Sequence, residues 1–128
     1  MSVLEQEMLL LGSRGSTRQR ALFDSGASYS IIRRDLAESL EVLTTIPDPE
    51  NYVFETARPG DLVHATHRVL LEFRFDDSEA RFTDEFVVFH ECSEAVIIGA
   101  TTMQKWRIQL DFQNEEIIYR KTAQRLRV

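Results

Sequence analysis

The sequence predicts an all-β domain: a small closed, barrel-like β structure with one or two short helices. Short apolar runs rich in β-branched and aromatic residues dominate the chain, and polar turns separate them. The chain has 128 residues, of which 43% are hydrophobic, and this is enough for one core. We therefore expect residues 1–128 to form a single domain, with residues 1–6 and 121–128 as terminal tails or dimer-interface elements.

The first part of the chain predicts a β-hairpin. Apolar strands at residues 7–11 and 19–23 flank a polar turn at residues 12–16. A turn of small residues follows at 24–28, and residues 29–32 are expected to be extended.

The best helical signal covers residues 33–42. Leu36 and Leu40 lie four residues apart on one face, and polar residues occupy much of the rest. Pro47 and Pro49 exclude a helix from the segment that follows.

The second half predicts further strands and turns. Residues 52–75 form two strands around a Pro-Gly turn at 57–61, and the alternation from Val69 to Phe75 has the period of two that strands require. The remaining predicted elements are strands at 82–89 and 95–98, a short helix at 101–106, and a closing hairpin formed by 107–112 and 116–120.

Charge and cysteine content narrow the function classes. The net charge is −6 and no basic block stands out, which argues against nucleic acid or an anionic membrane as the main partner. No apolar stretch approaches membrane-spanning length. The single Cys92 cannot form an intrachain disulfide, which fits a reducing compartment, and we expect a cytoplasmic protein.

Asp24 is the first candidate for chemistry. It ends an apolar strand and precedes Ser25-Gly26-Ala27-Ser28, so a tight turn would present its carboxylate on a rigid element. Taken alone, Asp-Ser-Gly is also an ordinary turn tripeptide.

Four features resemble one family in their order and spacing. Asp24-Ser25-Gly26-Ala27 is similar to the active-site signature of the retroviral-type (retropepsin-like) aspartic proteases. Residues 95–100 resemble the family's second landmark, an apolar strand that ends in glycine before a short helix. Residues 54–62 stand where the family carries its flap hairpin, and 108–112 resemble a strand of its cellular and retrotransposon members.

The resemblance implies a retropepsin fold and a set of site residues. Asp24 would be the catalytic residue, within an active-site turn completed by Ser25, Gly26 and Ala27. The flap tip would consist of Ala57, Arg58, Pro59 and Gly60. Two departures from the family pattern are a serine at position 25, where threonine is commoner, and Arg58-Pro59 where many viral members have glycines.

The chemistry implied by the family requires two carboxylates that share a proton. The chain contains one Asp-Ser-Gly, at Asp24, and no second copy of the motif. The second carboxylate must then come from another copy of the chain, so the resemblance implies a homodimer with Asp24 at its twofold axis. Ser25 is interpreted as a turn-fixing hydroxyl that bonds across the dimer, since a nucleophilic serine needs a neighbouring base.

The functional prediction is an aspartic endopeptidase that binds an extended peptide or protein substrate beneath the flap. No cofactor is implied, and no metal site, because His64, His67 and His90 lack a completing ligand pattern. The alternative is a catalytically weak or inactive dimerisation or peptide-binding module of the same fold. A third interpretation is a plain β-barrel with a chance Asp-Ser-Gly turn.

Overall fold

A long β-hairpin begins the fold. In the computed structural model, which describes residues 3–56 and 59–125, strand β1 (Val3–Gly12) pairs antiparallel with strand β2 (Gly15–Asp24) over its whole length. The register sets Val3 opposite Asp24.

These two strands are longer than the sequence predicts. Strands were expected at 7–11 and 19–23 with a five-residue turn, whereas the turn is only Ser13-Arg14. The outer parts of both strands are rich in charged residues, which pair with each other on the solvent face. The sequence there lacks the apolar pattern by which a strand is predicted. Arg18, for example, donates to Glu7 at 2.8 Å.

The other elements complete a closed barrel. In chain order they are β3 (Ile31–Arg33), α1 (Arg34–Leu40), β4 (Thr44–Thr45), a 3-10 turn (Pro49–Asn51), β5 (Val53–Glu55), β6 (Leu62–His64), β7 (His67–Arg74), β8 (Phe82–Phe89), β9 (Val96–Ile98), α2 (Ala100–Trp106), β10 (Gln109–Asp111) and β11 (Glu116–Ile118). The sheet order is β1-β2-β9-β3-β8-β7, and β7 pairs back onto β1. The predicted fold, mostly β with two short helices, is confirmed.

Two element boundaries differ from expectation for local reasons. The segment 52–75 forms three strands instead of two, because Ala65 is buried against Ile46 and Phe89 and interrupts the run between β6 and β7. The helix predicted at 33–42 ends at Leu40, where the chain turns to extended structure.

The closing hairpin is shorter than predicted. Its ladder contains only β10 and β11, and Asp111 accepts hydrogen bonds from Asn114 in the turn between them. Beyond β11 the chain runs along the β7–β8 turn, where Glu79 N–H donates to the carbonyl of Lys121 at 2.9 Å.

Phenylalanine rings fill the barrel. The period of two on β7 is confirmed, since Val69, Leu71 and Phe73 are buried while Leu70 is 63% exposed, and Phe75, just past the strand, is buried too. The rings in mutual contact are those of Phe23, Phe73, Phe75, Phe82 and Phe86. This core anchors β2 by its last apolar residue, and Asp24 comes next.

Helix α1 packs against the first hairpin, and this contact gives a first prediction. A Cβ at Gly12 would lie 2.1 Å from the carbonyl oxygen of Leu40, whereas one at Gly15 would come no nearer than 3.4 Å to that of Ser39. Gly12→Ala is expected to lower the free energy of unfolding by about 1–3 kcal/mol, since the backbone carbonyl must move. Urea denaturation measures the change, with Gly15→Ala as the matched control. Equal effects of the two substitutions would contradict the packing shown here.

Surface carboxylates give a second prediction, on acid stability. Asp76 accepts hydrogen bonds from both terminal nitrogens of Arg18, at 2.8 and 2.7 Å. These bonds hold the pKa of Asp76 below the ordinary value. The pKa of Asp77 is lowered first by Lys121 and then by Tyr119.

Carboxyl groups whose pKa is lower in the folded state contribute stability that is present above their unfolded pKa of about 4 and is lost as pH falls through the folded values. We expect the urea midpoint to stay level between about pH 7 and 5 and to fall below about pH 4. Asp76→Asn should make that fall shallower. A midpoint that rises toward pH 3 would refute this account of the surface.

Candidate active site

Asp24 is the last residue of β2, which lies between β1 and β9 in the barrel. β2 runs parallel to β9, with Phe23 opposite Ile98, and the far side of β9 pairs antiparallel with β3. Phe23 and Ile98 are fully buried, while Asp24 is half-buried. The Asp24 carboxylate is therefore attached to a strand that its neighbouring strands and the core hold in place.

The turn after Asp24 restrains its side chain. The N–H of Gly26 donates to Asp24 Oδ1 at 2.8 Å, and the N–H of Ala27 donates to the Asp24 carbonyl at 3.1 Å. This is an Asx-type turn, in which the side chain accepts from its own backbone two residues on. Ser25 and Gly26 are exposed at the tip of the turn.

The β9–α2 junction also holds this turn, through hydrogen bonds to its carbonyl groups. Ala100 N–H donates to the Ala27 carbonyl at 2.7 Å, and Thr101 donates to the Ser28 carbonyl through both its N–H (3.1 Å) and its hydroxyl (2.8 Å). A Cβ at Gly99 would stand 2.5 Å from the carbonyl carbon and oxygen of Tyr29. Only glycine permits this approach of the two backbones.

A β-hairpin of strands β5 and β6, here called the flap hairpin because it contains the residues predicted to form the flap, packs against Tyr29, just beyond the active-site turn. The ring of Phe54 meets the Tyr29 ring edge-on at 5.7 Å. Of the expected tip residues, Pro59 and Gly60 form an exposed turn in which Gly60 has φ of +81°, and Ala57 and Arg58 lie outside the described residues.

A cleft of about 390 Å³ opens beneath the flap hairpin. It is lined by Tyr29, Ile46, Asn51, Tyr52, Val53, Phe54, Arg68, Glu85 and Val87. Tyr29 is 54% exposed there. The cleft residues contributed by β7 and β8 occupy strand positions that face away from the core. The period of two along each strand therefore predicts the face on which they lie, but no sequence motif identifies them as cleft residues.

The described residues contain no group of three or more His, Cys, Asp or Glu side chains placed to hold a metal ion. His64 and His67 lie in β6 and β7.

None of the helices between residues 3 and 125, outside the two undescribed positions, is long and apolar enough to cross a membrane.

Asp24 at the end of β2, the parallel strand β9 followed by Gly99 and α2, and the β5–β6 hairpin packed on Tyr29 belong to the segments whose sequences resemble the retropepsin-like aspartic proteases. A family model described as aspartyl protease matches residues 11–102, well over half of the chain, and the protein belongs to this family.

Solved structures show the same fold at low sequence identity. The retroviral protease-like domain of Ddi1 from Leishmania major is similar with a TM-score of 0.61 and 15% identity, over 93% of this chain and 89% of that one. EIAV protease, in a complex with the inhibitor HBY-793, is similar with a TM-score of 0.57 and 14% identity, over 84% of this chain and 91% of that one. No curated protein matches at the sequence level.

Proposed function

We propose that this protein is a homodimeric aspartic endopeptidase in which Asp24 of each of two subunits contributes one carboxylate to a catalytic dyad. The observation that carries the proposal is the placement of Asp24, half-buried at the end of strand β2 and restrained by Gly26 N–H, in a chain of the aspartyl protease family.

The count of suitable carboxylates supports a dimer. The motif occurs once, and other aspartates of the chain have structural partners: Asp76 binds Arg18, Asp77 binds Lys121, and Asp111 binds its own turn. A twofold axis beside Asp24 would supply the second group from an identical turn.

In the proposed reaction the two carboxylates share one proton, because like charges about 3 Å apart cannot both ionise. The ionised carboxylate takes a proton from water as the water oxygen attacks the scissile carbonyl carbon, and the protonated carboxyl gives its proton to the carbonyl oxygen. The dyad then donates the proton it took from water to the amide nitrogen and takes one back from a hydroxyl of the tetrahedral intermediate. The C–N bond breaks, the amine and the carboxylic acid are released, and the dyad again holds one proton. The Gly26 N–H bond restrains Asp24 throughout, so the carboxylate does not have to be ordered during the reaction.

The cleft supports an extended peptide as the substrate. An extended strand can add its backbone to the flap hairpin, and alternate side chains of that strand would then face the cleft. Tyr29, Phe54 and Val87 give the cleft apolar walls, which favour a bulky apolar side chain. We propose a cytoplasmic location, in which the half-buried Cys92 would stay reduced.

Incubation of the protein with a diverse peptide mixture between about pH 4 and 7, read by mass spectrometry, tests the proposal. Cleavage that is absent in Asp24→Asn, from a species of dimer mass, is the expected result. A folded dimer that binds peptides and cleaves none would favour the peptide-binding module instead. Equal cleavage by both proteins would remove Asp24 from the mechanism.

A further inference from the structure

Two buried hydroxyl groups lie behind the active-site turn. Among the described residues, Ser30 (2% exposed) and Thr102 (1%) are the only buried polar side chains. Their hydroxyl oxygens are 2.5 Å apart, and Ser30 Oγ also accepts the N–H of Gly99 at 3.0 Å. Neither residue belongs to the motifs by which the sequence resembles its family.

Ser30 connects three parts of the fold. It ends the loop that starts at Asp24, and its carbonyl accepts the N–H of Val87 in β8 at 2.9 Å. Its hydroxyl accepts the N–H of Gly99, just after β9, and forms a hydrogen bond with the hydroxyl of Thr102 in α2. The far end of the Asp24 loop is therefore fixed to the β9–α2 junction by side chains, in addition to the backbone bonds that hold Ala27 and Ser28.

Packing alone does not require hydroxyls at these positions. An apolar pair such as alanine and valine could fill the same space, but the buried N–H of Gly99 would lose its acceptor, and an unpaired buried donor is unfavourable. The hydroxyl pair satisfies that N–H and fixes the distance between the loop and α2.

We infer that Ser30 and Thr102 are positioning residues that hold the Asp24 turn in a single conformation. They do so through Gly99 and the loop backbone and do not touch the reacting atoms. As far as it concerns catalysis, the inference rests on the proposed function, so its test includes a measurement that does not depend on peptide cleavage.

A matched pair of substitutions at position 102 separates the hydroxyl from the packing. Thr102→Val keeps the shape and removes the hydroxyl, whereas Thr102→Ser keeps the hydroxyl and removes a buried methyl group. Two quantities are measured well below each unfolding midpoint: kcat and KM for one peptide substrate, and the amide hydrogen exchange rates of Gly26 and Ala27. These two amides make the bonds that hold Asp24.

For Thr102→Val we expect kcat to fall about ten-fold with KM within about two-fold of the wild type, since misplacement of a catalytic group by a fraction of an ångström lowers the rate of the chemical step. Exchange at Gly26 and Ala27 should accelerate about ten-fold as the turn samples open conformations. Thr102→Ser should match the wild type in both measurements.

Equal losses of kcat in Thr102→Ser and Thr102→Val would overturn the inference, because they would assign the effect to packing. Unchanged exchange at Gly26 and Ala27 in folded Thr102→Val would overturn it too. If Thr102→Val does not fold, Ser30→Ala, which removes the acceptor of Gly99 N–H, is held to the same expectations. If the wild type cleaves no peptide, the proposed function fails, and the exchange rates alone then support or overturn the positioning role.

Discussion

Replacing Asp24 by asparagine is expected to lower the rate of peptide cleavage by about 10²–10⁴-fold or more, the range that general acid–base groups contribute. The amide can still accept the N–H of Gly26 through its oxygen, so the turn is expected to persist. It cannot take up a proton from water, and the dyad loses its base. Urea midpoints and the solution mass of the variant should match the wild type, which distinguishes loss of chemistry from loss of fold or dimer.

Co-expression of wild-type and Asp24→Asn chains tests whether two subunits share one site. With equal amounts and random pairing, about a quarter of the dimers carry two aspartates. Cleavage per total protein should then fall to about a quarter of the wild-type value. Subunits that work independently would retain about a half, and that result would refute the shared dyad.

The active-site turn could be predicted from the sequence because its chemistry is local. An apolar strand that ends in Asp24 before small residues carries its own turn signal, and Gly99 ends an apolar strand in the same way. The sheet order could not be derived from such signals alone. β9 lies between β2 and β3 although more than sixty residues separate it from either, and no local pattern records that pairing.

The buried hydroxyls show the same limit at the level of single residues. Ser30 and Thr102 look like ordinary polar residues of a loop and a short helix, and 72 positions separate them. Their burial arises only when β9 inserts beside β2 and brings α2 onto the loop. In the first hairpin the sequence instead predicts strands that are too short. Arg18 and Glu7 form an ion pair on its solvent face, and these charged residues mask the strand pattern.

Gly99→Ala is expected to lower both the stability and the activity of this protein. The new Cβ would stand 2.5 Å from the carbonyl group of Tyr29 and 2.9 Å from the carbonyl oxygen of Ala27, and all three atoms belong to the backbone. Backbone cannot move aside as the end of a side chain can, so the β9–α2 junction and the Asp24 loop, which the Ala100 N–H to Ala27 bond holds together, must separate. We expect a loss of about 1–3 kcal/mol in the free energy of unfolding.

The loss of activity in Gly99→Ala should exceed what that instability alone explains. The displaced junction is the one that donates Ala100 N–H to the Ala27 carbonyl and Gly99 N–H to Ser30, so movement there shifts the turn that holds Asp24. A shift of about 1 Å in a reacting group can lower a rate about 10²-fold, and kcat of the folded variant should fall by that order. Gly15→Ala, whose Cβ meets nothing nearer than 3.4 Å, is the matched control and should keep full activity. A folded Gly99→Ala protein with wild-type kcat would show that the junction does not govern the geometry of Asp24.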